Sequence, residues 1–225
     1  MDITNGNDIE KSKTANIIIY SKPGSGKSTV AGLIEGRTLV LDIDNTTQVL
    51  KGYGNVDVAK IDSTDVHNSI LEFYAYAKAN IDKYDNVFID NLTHYQKLWL
   101  INKGEKTKSG RPELQHYALL DDHLLKLIET FNGLNANVIY TCWEGSREIR
   151  SEDGNQYTQV LPDLRDKIVN HLMGIVHVVA QLIKKSDGTR GFTFDGSQTT
   201  FAKNHLTKAK GCLQEDLLKV LKDEN

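Results

Sequence analysis

The chain has 225 residues, of which 39% are apolar and 25% are charged, so it can bury a sizeable core and wholesale disorder is excluded. Lys and Arg together number 27 against 30 Asp and Glu, and the resulting net charge of −3 excludes a uniformly basic nucleic-acid coat but leaves room for a local basic patch. The length favours one large domain over two small ones.

Cysteine usage and hydropathy indicate an ordinary soluble protein. Cys142 and Cys212 lie far apart and form no C-x-x-C pair, so neither a disulfide framework nor a cysteine zinc site is predicted. The first residues lack the charged and apolar regions of a secretory signal. The most apolar stretch, 172–183, is too short to span a bilayer. We therefore expect a cytoplasmic protein with no membrane partner.

Strands and helices alternate along the first 141 residues. After a polar stretch, apolar runs rich in β-branched residues predict buried strands at 16–20, 38–42, 56–61, 86–90 and 137–141. Helices are predicted from residue 27, over 70–81 behind a cap at Ser63 or Asp65, and over 92–102 and 114–132. This alternation predicts an α/β fold of right-handed βαβ units around a mostly parallel central sheet.

Beyond residue 145 the alternation of predicted strands and helices ends. A polar stretch with turn residues at 153–155 predicts a hairpin or a mobile loop. A strand at 175–184, an Asp-Gly turn and the run 191–194 predict a C-terminal antiparallel hairpin at the edge of the sheet. The stretch 212–221 has the pattern of a short amphipathic helix or tail.

The strongest motif is the segment 21–28, Ser-Lys-Pro-Gly-Ser-Gly-Lys-Ser, which lies between a predicted strand and a predicted helix. It matches the pattern G-x-x-x-x-G-K-[ST] except that Ser21 replaces the first glycine. Small residues let the backbone curl so that its N–H groups face an anion, and the helix adds its positive end. The motif predicts that ATP is bound by Pro23, Gly24, Ser25, Gly26, Lys27, Ser28 and Thr29. The alternative is a flexible turn that happens to contain Lys-Ser.

Other side chains are expected to complete this site. Lys27 would reach the β- and γ-phosphates, and the Ser28 hydroxyl would bind Mg²⁺. Asp90, at the end of a buried strand, would hold the magnesium shell with Ser28, unless it only caps the next helix. Asp42 and Asp44 share one face at the carboxyl edge of the sheet, where they would orient or deprotonate the attacking water or else serve as caps or loop residues.

Taken in order, these motifs and the late hairpin make residues 15–205 similar to the RecA-like P-loop ATPases. Within that group the chain resembles small bacteriophage nucleotide-binding proteins that act as single-strand annealing recombinases with a RadA-like core. The resemblance implies a three-layer RecA-like ATPase domain at 14–205, a flexible tail at 1–13 and a C-terminal helix or tail at 206–225. It also implies that Asp44, in the place of the usual Glu of a D-x-E pattern, is the catalytic carboxylate, and that Thr141 or Glu144 senses the γ-phosphate.

The same resemblance implies an oligomer. Lys203 matches a lysine-asparagine-arginine element through which RadA-type relatives project cations into a neighbour's ATP site, and His205 takes the place of the arginine. Lys203 would then act catalytically in trans, with ATP between the subunits of a ring or filament. The alternative is an ordinary exposed lysine after a hairpin.

A basic segment after the third predicted helix is the candidate DNA contact. Its cations are Lys103, Lys106, Lys108 and Arg111, and the aromatic residues Trp99 and Tyr117 flank it. Cations neutralise phosphates and flat rings stack on bases, so the segment predicts single-stranded DNA binding. A solvated loop between helices is the alternative.

The resulting hypothesis is a P-loop ATPase, with ATP and Mg²⁺ as cofactors, that binds single-stranded DNA and promotes annealing, with DNA-stimulated and slow hydrolysis and a single-strand-binding protein as a further partner. Two rivals stay open. One is a nucleoside or nucleotide kinase with a lid near Arg147 and Arg150. The other is an assembly ATPase of the helicase-loader type that acts on a protein partner.

Overall fold

The structure of the protein is a computed structural model that describes residues 3–8, 12–150 and 154–222. The tail predicted at 1–13 falls partly outside these ranges, as do the first residue of the turn predicted at 153–155 and the last three residues of the chain. Within the described ranges no helix is both long and apolar enough to cross a membrane.

A ten-stranded sheet organises the described part of the chain. The strands are β1 (Asn16–Ser21), β2 (Thr38–Asp42), β3 (Val56–Lys60), β4 (Asn86–Asp90), β5 (Asn137–Arg150), β6 (Gln156–Pro162), β7 (Val178–Lys184), β8 (Arg190–Thr193), β9 (Lys203–Asn204) and β10 (Gly211–Leu213). Their order is β10-β8-β7-β1-β5-β4-β2-β3, with β6 paired to β5 and β9 to β7. Neighbours from β7 through β3 run parallel, whereas β6, β8, β9 and β10 pair antiparallel.

Helices cover both faces of this sheet. They are α1 (Val30–Leu33), α2 (Val66–Ala79), α3 (Leu92–Glu105), α4 (Leu114–Asn132), α5 (Asp166–Gly174) and α6 (Leu217–Lys222). In β1, Ile18 and Tyr20 belong to the core under α2 to α5, whereas Ile17 and Ile19 belong to the core under α1 and α6. Strands covered on both faces are apolar nearly throughout, as the sequence shows. The predicted α/β architecture is therefore confirmed: a mostly parallel sheet, helix layers on both faces and a C-terminal antiparallel hairpin, β7–β8.

Two elements begin later than the sequence predicted. The helix expected from residue 27 starts at Val30, because tight turns come first, with the Val30 N–H donating to the Lys27 carbonyl at 3.1 Å. The strand expected at 175–184 starts at Val178, because the helix α5 runs to Gly174 and residues 175–177 form the bend between helix and strand.

Two other elements extend or add to the prediction. β5 continues to Arg150 as one arm of an antiparallel ribbon with β6, which answers the open choice between a hairpin and a loop. Residues 211–213, expected in a helix or tail, form the edge strand β10 against β8. These residues lack the alternation of apolar and polar residues that predicts a strand. They are extended because they pair with β8.

The parallel register brings the ends of several strands to one edge of the sheet. Asp42 of β2 lies opposite Asp90 of β4, and β5 inserts between β4 and β1. Within β5, Thr141 lies opposite Ile19, and Trp143 lies opposite Ser21, where β1 ends. Ligands of open α/β sheets bind at this carboxyl edge.

Candidate nucleotide-binding site

The loop after β1 has the curled backbone that the motif predicts. Gly24 and Gly26 have φ angles of 76° and 100°, in the left-handed region that favours glycine. Ser21, the departure from the motif, is instead the last residue of an extended strand, so its Cβ meets no conformational obstacle. Its hydroxyl lies 3.3 Å from the Lys27 amine and accepts from it, so the substitution adds a polar partner for the lysine.

Lys27 is almost buried, with 7% of its surface exposed. Its Nζ donates to the carbonyl of Ser21 at 3.0 Å and to the carbonyl of Lys22 at 3.2 Å. Burial lowers the pKa of this amine, and the carboxylates of Asp90 and Asp44 partly oppose that effect. The loop carbonyls thus hold the amine in place, and a phosphate oxygen could replace one of them as its hydrogen-bond acceptor.

Several amides of the loop have no internal partner. Among the described residues, none accepts from the backbone N–H groups of Gly24, Gly26, Lys27 and Ser28. Unpaired N–H groups on a curled, glycine-rich backbone are what an anion nest requires.

Asp90 lies at the centre of the polar edge and is 1% exposed. The hydroxyls of Ser28 and Thr141 each donate a short hydrogen bond to its carboxylate. Burial raises the pKa of Asp90, and both hydroxyls and Lys27 counteract the rise. The structure thus joins the predicted pair Ser28 and Asp90 directly, and it gives Thr141, an expected γ-phosphate sensor, a contact to Asp90 instead.

The two acids after β2 have different surroundings. Asp42 is buried and accepts from the Thr46 N–H at 3.2 Å and the Thr47 hydroxyl at 2.6 Å, as a cap does. Asp44 reaches the cleft, where the Asn91 side-chain amide donates to its Oδ2. Its Oδ1 is buried and has no hydrogen-bond partner within the described residues. Burial, helped by Asp90 and Asp42, raises the pKa of Asp44 to about 7.

These groups line a cleft of about 430 Å³ at the carboxyl edge. Its walls include the loop residues Pro23, Gly24, Gly26, Lys27, Ser28 and Thr29, together with Asp44, Asp90, Asn91, Trp143 and Arg190. Glu144, the other expected sensor, accepts from Gln181 Nε2 at 2.9 Å.

Four residues at the site were not found from the sequence. Asn91 directly follows β4 and carries the local signal of a helix cap, since its Oδ1 accepts from the His94 N–H at 2.7 Å. Trp143 lies within β5, beyond the strand predicted at 137–141. Arg190 and Gln214 reach the loop from far along the chain, and no local pattern marks them.

Lys203 and His205 lie at the opposite edge of the sheet. Lys203 is opposite Val179, near the start of β7, and its Nζ donates to the Gly174 carbonyl at 3.0 Å. Burial lowers the pKa of this amine. In one chain these residues are therefore remote from the cleft, so any contact with ATP would be with a neighbour's.

The basic segment begins in the last turn of α3. The Lys103 Nζ lies over the Trp99 ring, 4.8 Å from its centroid, but Trp99 is 3% exposed, so the expectation that its ring is open to bases is wrong. The Thr107 hydroxyl lies within hydrogen-bond distance of the carbonyls of Gly104, at 2.8 Å, and Arg111, at 2.9 Å, in an exposed loop. Tyr117 lies instead under the Arg165 guanidinium, 5.1 Å away.

The donor set at the cleft fits a magnesium ion beside a triphosphate. Hydroxyl and carboxylate oxygens are the ligands that Mg²⁺ prefers, and Ser28 and Asp90 supply them side by side. The Asp44 Oδ1 and the loop amides have no hydrogen-bond partner within the described residues. A bound nucleotide with its metal and water would supply partners for them.

The curled loop, the buried lysine and the hydroxyl–carboxylate pair define a nucleotide-binding site of the P-loop NTPase type. A family model described as an AAA domain (AAA_24) matches residues 13–206. The match covers most of the chain, so the chain belongs to this family, and its domain is of the P-loop ATPase type. A search of curated proteins finds no significant match.

Proposed function

We propose that this protein binds and hydrolyses Mg·ATP and uses the nucleotide to control single-stranded DNA binding, in the manner of a RecA-like annealing recombinase. One observation carries the proposal: α3 begins at the nucleotide cleft and ends at the basic loop. Asn91, the cap of α3, donates to Asp44, while Lys103, in the last turn, begins the cationic segment.

The chemistry of the cleft suits phosphoryl transfer to water. The loop amides and Lys27 would bind the β- and γ-phosphates. Mg²⁺, held by Ser28 and Asp90, would supply positive charge against the phosphate oxygens. Asp44 would accept a proton from water as the new bond to the γ-phosphorus forms and the bond to the β–γ bridging oxygen breaks. A pKa of about 7 suits a base that works near neutral pH.

α3 offers a physical link between nucleotide and DNA. Its 14 residues make a rod about 21 Å long. A change at Asp44 on ATP binding would act on the Asn91 cap, and the rigid helix would carry that change to the loop. ATP would thus favour the arrangement of the loop that holds DNA, and hydrolysis would release it.

The loop offers positive charge to a single strand, because the side chains of Lys106, Lys108 and Arg111 are exposed. Trp99 does not contribute a stacking surface, since it is 3% exposed and packs in the core with Lys103 over its ring. Cations track the phosphates of a single strand without regard to sequence. We further propose a ring or filament in which Lys203 and His205 face a neighbour's ATP, and a single-strand-binding protein as a partner on DNA.

The decisive test is the affinity for fluorescein-labelled single-stranded DNA, measured by anisotropy with and without a non-hydrolysable ATP analogue. We expect tighter binding with the analogue, and we expect Lys27→Ala to abolish both this gain and ATP hydrolysis while keeping its circular dichroism spectrum. Lys60→Ala, which removes an exposed lysine at the same edge of the sheet, is the matched control. Equal or absent DNA binding in both conditions would refute the DNA part of the proposal.

A double variant locates the DNA contact. Lys106→Gln with Lys108→Gln should reduce the slope of log affinity against log salt by about 1.4, because each phosphate contact on a single strand contributes about 0.7. Lys184→Gln with Lys185→Gln, on the β7–β8 hairpin, removes the same charge elsewhere and should leave the slope unchanged. A wild-type slope in the first pair would exclude this loop as the contact.

The rivals predict other results. Phosphate transfer to nucleosides without DNA stimulation would favour a kinase, and turnover stimulated by a replication protein rather than DNA would favour an assembly ATPase. Arg147, which a kinase lid would use, donates to Gln159 of β6 at 3.0 Å and to Asn170 of α5 at 2.9 Å, which speaks against that role.

A further inference from the structure

Two side chains from the C-terminal part of the chain donate hydrogen bonds to backbone carbonyls of the loop 21–28, on the side of the loop that faces away from its free N–H groups. Arg190 Nε, from the start of β8, donates to the Ser25 carbonyl at 2.9 Å. Gln214 Nε2, directly after β10, donates to the Gly26 carbonyl at 2.7 Å. The antiparallel pairing of β8 with β10 sets Gly191 opposite Leu213, and this register brings Arg190 and Gln214 together.

Peptide geometry connects these two contacts with the inner side of the loop. In a planar trans peptide the carbonyl and the following N–H point in opposite directions. Fixing the carbonyl of Ser25 therefore fixes the N–H of Gly26, and fixing the carbonyl of Gly26 fixes the N–H of Lys27. Neither N–H has an acceptor in the part of the chain that the structure describes.

We propose that Arg190 and Gln214, here called the loop brace, are positioning residues that hold the amides of Gly26 and Lys27 toward the phosphates of a nucleotide. Arg190 has a second effect, because it also lines the cleft and no described carboxylate pairs with it. Its positive charge attracts the triphosphate from the same chain.

The brace is closely fitted and firmly anchored. A Cβ on Gly26 would lie 2.9 Å from Arg190 Nε and 3.3 Å from Gln214 Nε2, so only glycine lets the brace come this near. Gln214 is itself 5% exposed. The helix that follows it buries Leu217, Leu218 and Leu221 in the same core as Val30 and Ala31 of α1. Because both sides share one core, the brace and the loop keep a fixed distance.

This inference rests on the nucleotide-binding part of the proposed function and is independent of the DNA partner. It is tested by the dissociation constants of MgATP and of magnesium pyrophosphate, measured by calorimetry on the full chain, and by the split between KM and kcat for hydrolysis. Pyrophosphate isolates the phosphate contacts, because it has no base or sugar.

The variants are Arg190→Met and Gln214→Met, which keep length and lose the donor. We expect MgATP and pyrophosphate to bind about fivefold more weakly to Gln214→Met and at least tenfold more weakly to Arg190→Met, as lost neutral and charged hydrogen bonds would give. KM should rise by similar factors while kcat per folded molecule changes little, because the brace acts on ground state and transition state alike. Arg190→Lys should recover part of the affinity.

Lys184→Met is the matched control, since Lys184 lies opposite Arg190 across the β7–β8 hairpin and is exposed. It should bind within about twofold of the wild type, because an exposed charge away from the phosphates is screened. An equal loss of ligand affinity in Lys184→Met and Arg190→Met would show that only the net charge of the protein affects phosphate binding, and it would overturn the brace.

Wild-type affinity for both ligands in Arg190→Met and Gln214→Met would also overturn the brace while leaving the nucleotide site intact. If the wild type binds neither ligand, the proposed function fails and the brace with it. If the wild type binds ATP but no DNA, only the DNA part fails. If Gln214→Met does not fold, the affinities of Arg190→Met and Arg190→Lys test the proposal by themselves, because Arg190 is only half-buried.

Discussion

Replacing Asp44 by Asn tests the electrostatics of the cleft most directly. The folded protein raises the pKa of this carboxyl from its usual 3.8 to about 7. Asn keeps an oxygen to accept from the Asn91 amide but carries no charge, so the variant removes the cost of ionising Asp44 and little else. We expect Asp44→Asn to be more stable than the wild type at pH 8 and to have lost ATP hydrolysis.

The magnitude follows from the pKa. One pKa unit corresponds to about 1.4 kcal/mol, so the rise from 3.8 to about 7 sets an upper limit of about 4 kcal/mol. Asp44 is only half-buried, and solvent screens part of the effect, so we expect about 1 to 2 kcal/mol. The sign is that of a raised folded-state pKa: the wild type is fully stabilised below 3.8 and loses stability as the pH rises through about 7.

The assay is urea unfolding followed by circular dichroism between about pH 4 and about pH 8. The stability gap between Asp44→Asn and the wild type should widen as the pH rises from the unfolded-state pKa of 3.8 and stay constant above about pH 7. Asp82→Asn, which removes an exposed carboxylate after α2, is the control and should show no such widening. A pH-independent gap, or a variant less stable than the wild type at pH 8, would refute the reasoning.

Two further predictions concern the supports of the site. Thr141→Val removes a hydroxyl that donates to the buried Asp90, so it should cost about 1 to 3 kcal/mol in unfolding free energy and lower ATP hydrolysis; unchanged stability in urea would contradict the contact. Leu218→Ala, in a core position that is 1% exposed, should cost about 2 to 5 kcal/mol, whereas Leu213→Ala, at 48% exposed, should change thermal unfolding little. Equal effects of the two would show that α6 does not belong to the core.

Local signals explain what the sequence revealed of the fold. β1, β2 and β4 are short apolar runs covered on both faces, and such runs can be recognised without their neighbours. α5 and β10 were missed for different reasons. α5 adjoins the apolar run of β7, which hid the boundary, and β10 owes its conformation to pairing with β8.

The candidate site divides in the same way. The loop residues, Lys27, Ser28 and Asp90 could be proposed from one strand–loop–helix motif and one strand ending in an acid. The distinction between Asp42 and Asp44 could not, because it depends on which carboxyl Thr46, Thr47 and Asn91 contact. The placement of Thr141 on Asp90 depends likewise on β5 lying between β1 and β4.

The amino-acid sequence alone determined the kind of ligand, because a phosphate loop is built from consecutive residues whose small size and backbone freedom are local properties. Only the tertiary structure decided what surrounds that loop. Arg190 and Gln214 are 165 and 188 residues away from the carbonyls they contact. The pairing of β8 with β10 brings them there, and neither segment has a local sequence pattern that identifies its pairing partner.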